Sequence, residues 1–131
     1  MVVYYGFADG ASWHTQNLAS TAWVIYSPTD ELISLCGIFL GPTTNNIAEY
    51  HAIIGLLAKA SSNGISRMIV QLDSQIMVSQ LNHNYFICDP MLLRFYRRVR
   101  LLERSFDFIQ YYYIPRQFNM IADSLANFVL D

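Results

Sequence analysis

At 131 residues, 53% of them hydrophobic and 14% charged, the chain is the size of one domain and rich enough in apolar side chains for a large core, which excludes a disordered or low-complexity protein. No apolar run reaches the roughly 18–20 residues that span a bilayer, and no signal-peptide pattern opens the chain, so contact with a membrane is not expected. The net charge of −2 excludes a uniformly basic nucleic-acid binder, yet five of the eight lysines and arginines (Arg94, Arg97, Arg98, Arg100 and Arg104) crowd into RFYRRVRLLER.

In chain order, VVYYGFAD is dense in β-formers and meets a stop signal at Asp9-Gly10. STAWVIYS, the turn residues PTDE and then ELISLCGIFL complete three antiparallel strands. The loop GPTTNN leads into a helix, IAEYHAIIGLLAKAS, which stops at SNG, where Gly64 suits a C-terminal cap. SRMIVQLD reads as a fourth strand and SQIMVSQLN as a short helix. DPMLLRFYRRVRLLERSF reads as a longer helix with Asp89 as N-cap and Pro90 at its first position. A fifth strand, FDFIQYYYI, and a final helix, NMIADSLANFVL, close the chain. The expected fold is α/β: a five-stranded mixed sheet flanked by helices, in one domain over residues 1–131. The crossover through the first long helix places the fourth strand parallel to, and beside, the first.

That topology gathers acids. Asp9 and Asp73 end neighbouring parallel strands, about 5 Å apart by strand spacing, at the sheet edge where open α/β folds bind ligands. Glu49 shares a helix face with Ala52, Ile53 and Leu56, and Asp123 has Met120 and Ala126 at i−3 and i+3, so both lie on or near core-facing stripes. A single such acid is readily a turn residue or an arginine's partner. Four of them, with most cations elsewhere, call for hard divalent ions, because Mg²⁺ and Mn²⁺ favour carboxylate oxygen. Two ions roughly 3.5–4 Å apart are the arrangement used in phosphodiester chemistry.

The segments FADGAS, TTNNIAEYHAI, LDSQ and NMIADSLA, in this order across almost the whole chain, resemble the motifs of the type 1 ribonuclease H family. That family includes the ribonuclease H domains of retroelement reverse transcriptases. The resemblance implies a metal-dependent endonuclease that hydrolyses the RNA strand of RNA–DNA hybrids. It implies that Asp9, Glu49 and Asp73 hold one Mg²⁺ and that Asp9 with Asp123 holds a second, Mn²⁺ being able to substitute. One ion would activate water and the other would stabilise the departing 3′-oxygen, leaving 5′-phosphate and 3′-hydroxyl ends. It implies minor-groove contacts from Asn45, Asn46 and Gln75, and an approach of the Gly10, Ala11 and Ser12 backbone to the RNA. Asn45 is alternatively a helix cap. Asn119 is either the cap of the last helix or an orienting partner of the acids.

Only NHNYFICDP joins the two middle helices, where some family members carry a basic, Trp-bearing handle. The chain resembles the handle-less members, monomeric as a domain, with a tethered polymerase or nucleic-acid-binding domain available to raise affinity. Leu92, Phe95, Val99, Leu102 and Phe106 form a core stripe on the long helix, and the five arginines fall opposite, as a solvated face or as phosphate contacts. Trp13 and Tyr85 are the aromatic residues best placed for surface stacking. In YIPRQFN, Tyr113 stands where many family members have an assisting histidine in a flexible loop. A phenol with a pKa near ~10 cycles its proton poorly at neutral pH, so a slowed enzyme is expected. His51, His83 and His14 are not placed to substitute, His14 being expected at the surface. Arg116, in the same loop, either meets a phosphate or is simply exposed. Cys36 and Cys88, in no CxxC spacing, are expected to be free, buried thiols, which fits an intracellular, reducing setting. Two other readings stay open: a non-catalytic hybrid-binding or structural module of a reverse transcriptase, and another two-metal nuclease on the same fold.

Overall fold

Five strands and four α-helices succeed one another in the computed structural model, which describes residues 2–13, 18–83 and 87–130. They are β1 (Tyr4–Trp13), β2 (Leu18–Tyr26), β3 (Leu32–Pro42), α1 (Asn45–Ser62), β4 (Arg67–Leu72), α2 (Gln75–His83), α3 (Pro90–Glu103), β5 (Phe108–Tyr113) and α4 (Met120–Leu130). A 3₁₀ turn over Arg116–Phe118 precedes α4, in a stretch whose sequence carried no helical signal. The strands form one sheet in the order β3-β2-β1-β4-β5. β1–β2 and β2–β3 are antiparallel, whereas β1–β4 and β4–β5 are parallel. This is the expected mixed sheet with its crossover.

Gly10 and Ala11 are neighbours on β1 and show why both faces are covered. A Cβ on Gly10 would lie 2.7 Å from the backbone nitrogen of Glu49 on α1, whereas Ala11 packs with Ala22 and Ala126, the last on α4. Side chains alternate along a strand, so α1 and α4 lie on opposite faces of the sheet. The α1 face carries the main core. Ala52, Ile53, Leu56, Leu57 and Ala60 are wholly buried against Trp23, Ile25, Met68 and Val70. α3 backs α1 through Leu92, Phe95, Val99 and Leu102 of the expected stripe; the helix ends at Glu103, so Phe106 packs on the same core from beyond its end. On the other face the Ser20 hydroxyl donates to the Ala126 carbonyl and ties α4 to β2.

Several local expectations are corrected. The first strand does not stop at Asp9-Gly10 but runs to Trp13, because β2 continues to pair with it from Asp9↔Ala22 to Trp13↔Leu18. The cap of α1 is Thr44, whose hydroxyl accepts from the Ile47 N–H at 3.3 Å; Asn45 is the first helical residue and not the cap. Asp89 caps α3 as expected, its carboxylate accepting from the N–H groups of Met91 and Leu92. Arg100 leaves the solvated face: its guanidinium pairs with Glu103 at 2.9 Å and stacks 4.7 Å from the Tyr96 ring centre. Arg94, Arg97, Arg98 and Arg104 are exposed, as expected. Both cysteines are free, but Cys88 is exposed and Cys36 half-buried. Tyr85, His14 and the side chain of Trp13 lie outside the described residues. Among the described residues no helix is long and apolar enough to cross a membrane.

Candidate active site

The sheet forks at one point. β1 and β4 pair from Tyr4↔Met68 to Ala8↔Leu72, and there β4 ends while β1 continues along β2. Asp9 and Asp73 are the residues just beyond the last shared pair, one on the continuing strand and one on the departing chain. Glu49 reaches them from the second turn of α1, and the absence of a side chain on Gly10 is what lets the backbone of α1 come so close. One ligand oxygen from each of Asp9, Glu49 and Asp73 can be chosen so that all lie within 4.8 Å of one another. With Ala8, Ile53, Leu72, Ser74 and Met77 they line a cavity of about 10 Å³, near the room of a single water-sized particle.

Three carboxylates this close strain each other's ionisation. Asp9 is only 5% exposed, and its Oδ2 is buried with no hydrogen-bond partner. Burial, then the charge of Asp73, then Asp123 and Glu49 push the Asp9 carboxyl far above the usual carboxylate range. Burial and then Asp73 push Glu49 up to about 7, against a hydrogen bond with Ser74 that pulls the other way. A group of acids held together in this way lacks one component, positive charge. The donor set is carboxylate oxygen without thiolate or imidazole, which fits a hard divalent cation.

Asn119 braces the cluster. It is 1% exposed, and its Nδ2 donates to the Ala8 carbonyl and to Asp73 Oδ2, both at 3.1 Å. Of the two roles expected for it, the side chain takes the orienting one: its Oδ1, the atom that would cap α4, has no partner. Its backbone carbonyl still accepts the N–H of Asp123 at the start of the helix.

Asp123 itself is placed differently from its expectation. Met120, one turn before it, is 65% exposed, so the stripe carrying Asp123 is only half core, with Ala126 its buried side. Asp123 has a cationic partner: its Oδ1 accepts from Arg116 Nε at 3.2 Å and Nη2 at 3.1 Å. Arg116 is therefore neither free nor simply exposed. Two contributors that sequence reasoning missed are Ser74, beside Glu49, and Asn127, whose Nδ2 donates to the Asp123 carbonyl at 2.8 Å. The i+4 spacing of Asn127 from Asp123 is the signal that could have found it.

Asn45 and Asn46 are exposed at the start of α1, at i−4 and i−3 from Glu49 and hence on its side of the helix, and Gln75 is exposed at the start of α2. Ser12 is half-buried, and the side chain of Ala11 is buried under α4. Tyr113 is no loop residue: it ends β5 opposite Leu72, next to Asp73 in register, and is 43% exposed. The acids, the asparagines and Tyr113 thus all sit at one edge of the sheet.

Comparison with known proteins places this geometry in company. Residues 7–129 match the reverse transcriptase-like family. The chain is 35% identical over 127 residues to ribonuclease HI of Halobacterium salinarum, an alignment spanning 97% of this chain and 64% of that protein. The crystal structure of RNase H1 from this archaeon superposes with a TM-score of 0.93, covering 98% of each chain. The N-terminal RNase H domain of Rv2228c from Mycobacterium tuberculosis, solved as a fusion with maltose-binding protein, superposes at 0.94 with 30% identity, covering 99% of this chain and 100% of that one. Against the whole of Rv2228c, a bifunctional protein, 36% identity extends over 92 residues, 70% of this chain and 25% of that protein.

Proposed function

The chain belongs to the reverse transcriptase-like family of ribonuclease H proteins, and from that premise we propose that it is a metal-dependent endoribonuclease cutting the RNA strand of RNA–DNA hybrids. The observation that carries the reading is the triad Asp9, Glu49 and Asp73, with one carboxylate oxygen buried and unpartnered. Asp9, Glu49 and Asp73 would hold one Mg²⁺, and Asp9 with Asp123 a second; Mn²⁺ has the same ligand preference and can replace either. When bound, such ions supply an activated water and stabilisation of the departing 3′-oxygen, which gives 5′-phosphate and 3′-hydroxyl ends.

The chain's own residues do the positioning. Asn119 fixes the Asp73 carboxylate to the β1 backbone, so two acids keep their spacing while the substrate changes. Asn45, Asn46 and Gln75 offer amides that both donate and accept, suited to base edges and to the 2′-hydroxyl that marks a strand as RNA. The backbone of Gly10, Ala11 and Ser12, on β1, would approach the RNA strand. The exposed arginines of α3 add salt-dependent attraction for phosphates. With no handle between α2 and α3, affinity for the hybrid is modest, and a tethered nucleic-acid-binding unit or polymerase would raise it. Tyr113 takes the place of an assisting histidine and slows turnover.

A hybrid labelled on either strand, incubated with Mg²⁺, Mn²⁺ or EDTA beside a DNA duplex, tests the proposal. Metal-dependent cutting confined to the RNA strand supports it. Hybrid binding without cleavage under either metal would favour the second reading, a non-catalytic binding module, for which Tyr113 is the motivating residue.

A further inference from the structure

The four acids are not equally short of positive charge. Asp123 has Arg116, held through Nε and Nη2 on the same oxygen, Oδ1. Arg116 in turn feels the charges of Asp9 and Asp73 after that of Asp123, so this guanidinium is a cation within reach of the acidic site. It is loosely kept. The Arg116 side chain is 72% exposed, it springs from the 3₁₀ turn between β5 and α4, and both of its donors converge on one carboxylate oxygen instead of forking across two. An exposed pair of this kind is weak and easily exchanged.

We propose that Arg116 occupies Asp123 until a nucleic-acid phosphate draws it away, so that the carboxylate is released to a second divalent ion chiefly when substrate is bound. This rests on the function proposed above and adds an order of events to it. The exchange conserves charge: the guanidinium passes from a carboxylate to a phosphate, whose oxygens suit its planar donors at least as well, and the carboxylate passes from guanidinium to metal. Asp9, Glu49 and Asp73, already gathered, are the acids ready for the first ion in the free protein. Asp123 is the one whose availability depends on another residue. Asn127, donating to both the carbonyl and Oδ1 of Asp123, keeps the carboxylate in place when the arginine leaves.

The test is a pair of binding measurements on Arg116→Gln and Arg116→Lys beside the wild type, with melting temperatures to show that each variant is folded. In calorimetric titrations with Mn²⁺ alone, Arg116→Gln should bind the second ion roughly two- to five-fold more tightly, the first ion unchanged, because the competing cation is gone. In EDTA, the same variant should bind an RNA–DNA hybrid more weakly, with the salt slope reduced by about one. Arg116→Lys should fall between the two in both measurements. Opposite signs are the signature: a structural residue would weaken both, and a plain phosphate contact would leave the metal titration unmoved. Either of those results overturns the inference, as does an unchanged hybrid affinity. A wild type that cleaves hybrid and binds two ions, with Arg116→Gln indistinguishable from it, sinks this inference alone. A wild type that binds no Mn²⁺ sinks it together with the proposed function.

Discussion

The inner and outer ends of the acidic site are built on different supports. Asp9, Glu49 and Asp73 project from β1, α1 and the end of β4, elements whose facing residues (Ile53, Leu56, Met68, Val70) are wholly buried. Asp123 projects from the first turn of α4, where Met120 and Ile121 are 65% and 50% exposed and Phe118, in the turn before, is 67% exposed. The inner three acids hold their spacing because moving one means moving the core; the outer one is anchored by Asn127, Arg116 and the packing of Ala126. A packed core cannot deform by small steps, whereas a helix start with an exposed apolar flank adjusts at little cost. The site therefore combines a fixed platform with one adjustable acid.

The sharpest way to break that comparison is to cut into each support. Leu56→Ala, on the platform, should lower unfolding free energy by about 2–5 kcal/mol in denaturant titration. Met120→Ala, on the adjustable side, should stay within about 0.5 kcal/mol of wild type. Equal losses would mean that the two ends are alike. Next in size, Asn119→Ala removes the brace on Asp73 and should reduce metal affinity or cleavage by roughly 10–100-fold, with less effect on folding. Tyr113→His should raise turnover at neutral pH by at least several-fold; an unchanged or lower rate would remove Tyr113 from the account.

A further expected effect is electrostatic. Glu49 is raised from 4.5 to about 7 by burial and by Asp73, and Asp9 is raised further. Between the ordinary and the raised value the folded state holds more protons than the unfolded chain, so the metal-free protein loses stability as pH climbs through that window. Its melting temperature should fall from about pH 4.5 to about pH 7 and beyond, and added Mg²⁺ should restore more at about pH 8 than at about pH 5.5. A metal-free protein that grows more stable across this range would contradict the crowding of the acids.

Much of this was legible in the sequence, for identifiable reasons. The strand and helix order followed from β-former runs, the Asp89-Pro90 start and the glycine after α1; the neighbouring places of Asp9 and Asp73 followed from the crossover alone. Asp9-Gly10 misled because strand length is set by the partner: β2 carries β1 three residues past a local stop signal. Thr44, not Asn45, became the cap because both are good caps and only backbone geometry chooses between them. At Asn119 one position serves as helix start and as brace, and which way the amide points depends on Ala8 and Asp73, far away in sequence. The Arg116–Asp123 pair joins a 3₁₀ turn to a separate helix start, so its seven-residue spacing is not that of one continuous helix and carries no signal in the sequence. Cys88 and Arg100 failed for a common reason: composition predicts average burial, and single residues depart from it.

The most direct test of the central claim, an acid cluster kept at a cost to stability for the sake of metal-dependent cleavage, is Asp9→Asn followed in one preparation by two readings. Asparagine keeps the shape and removes the ionisable group whose buried oxygen has no partner and whose proton the crowded site must retain at a cost. Cleavage of the RNA strand of a hybrid should fall on the order of 10²–10³-fold or more. In the same sample, the metal-free melting temperature near about pH 8 should rise. Retained cleavage, or a melting temperature that drops with the activity, would contradict the claim.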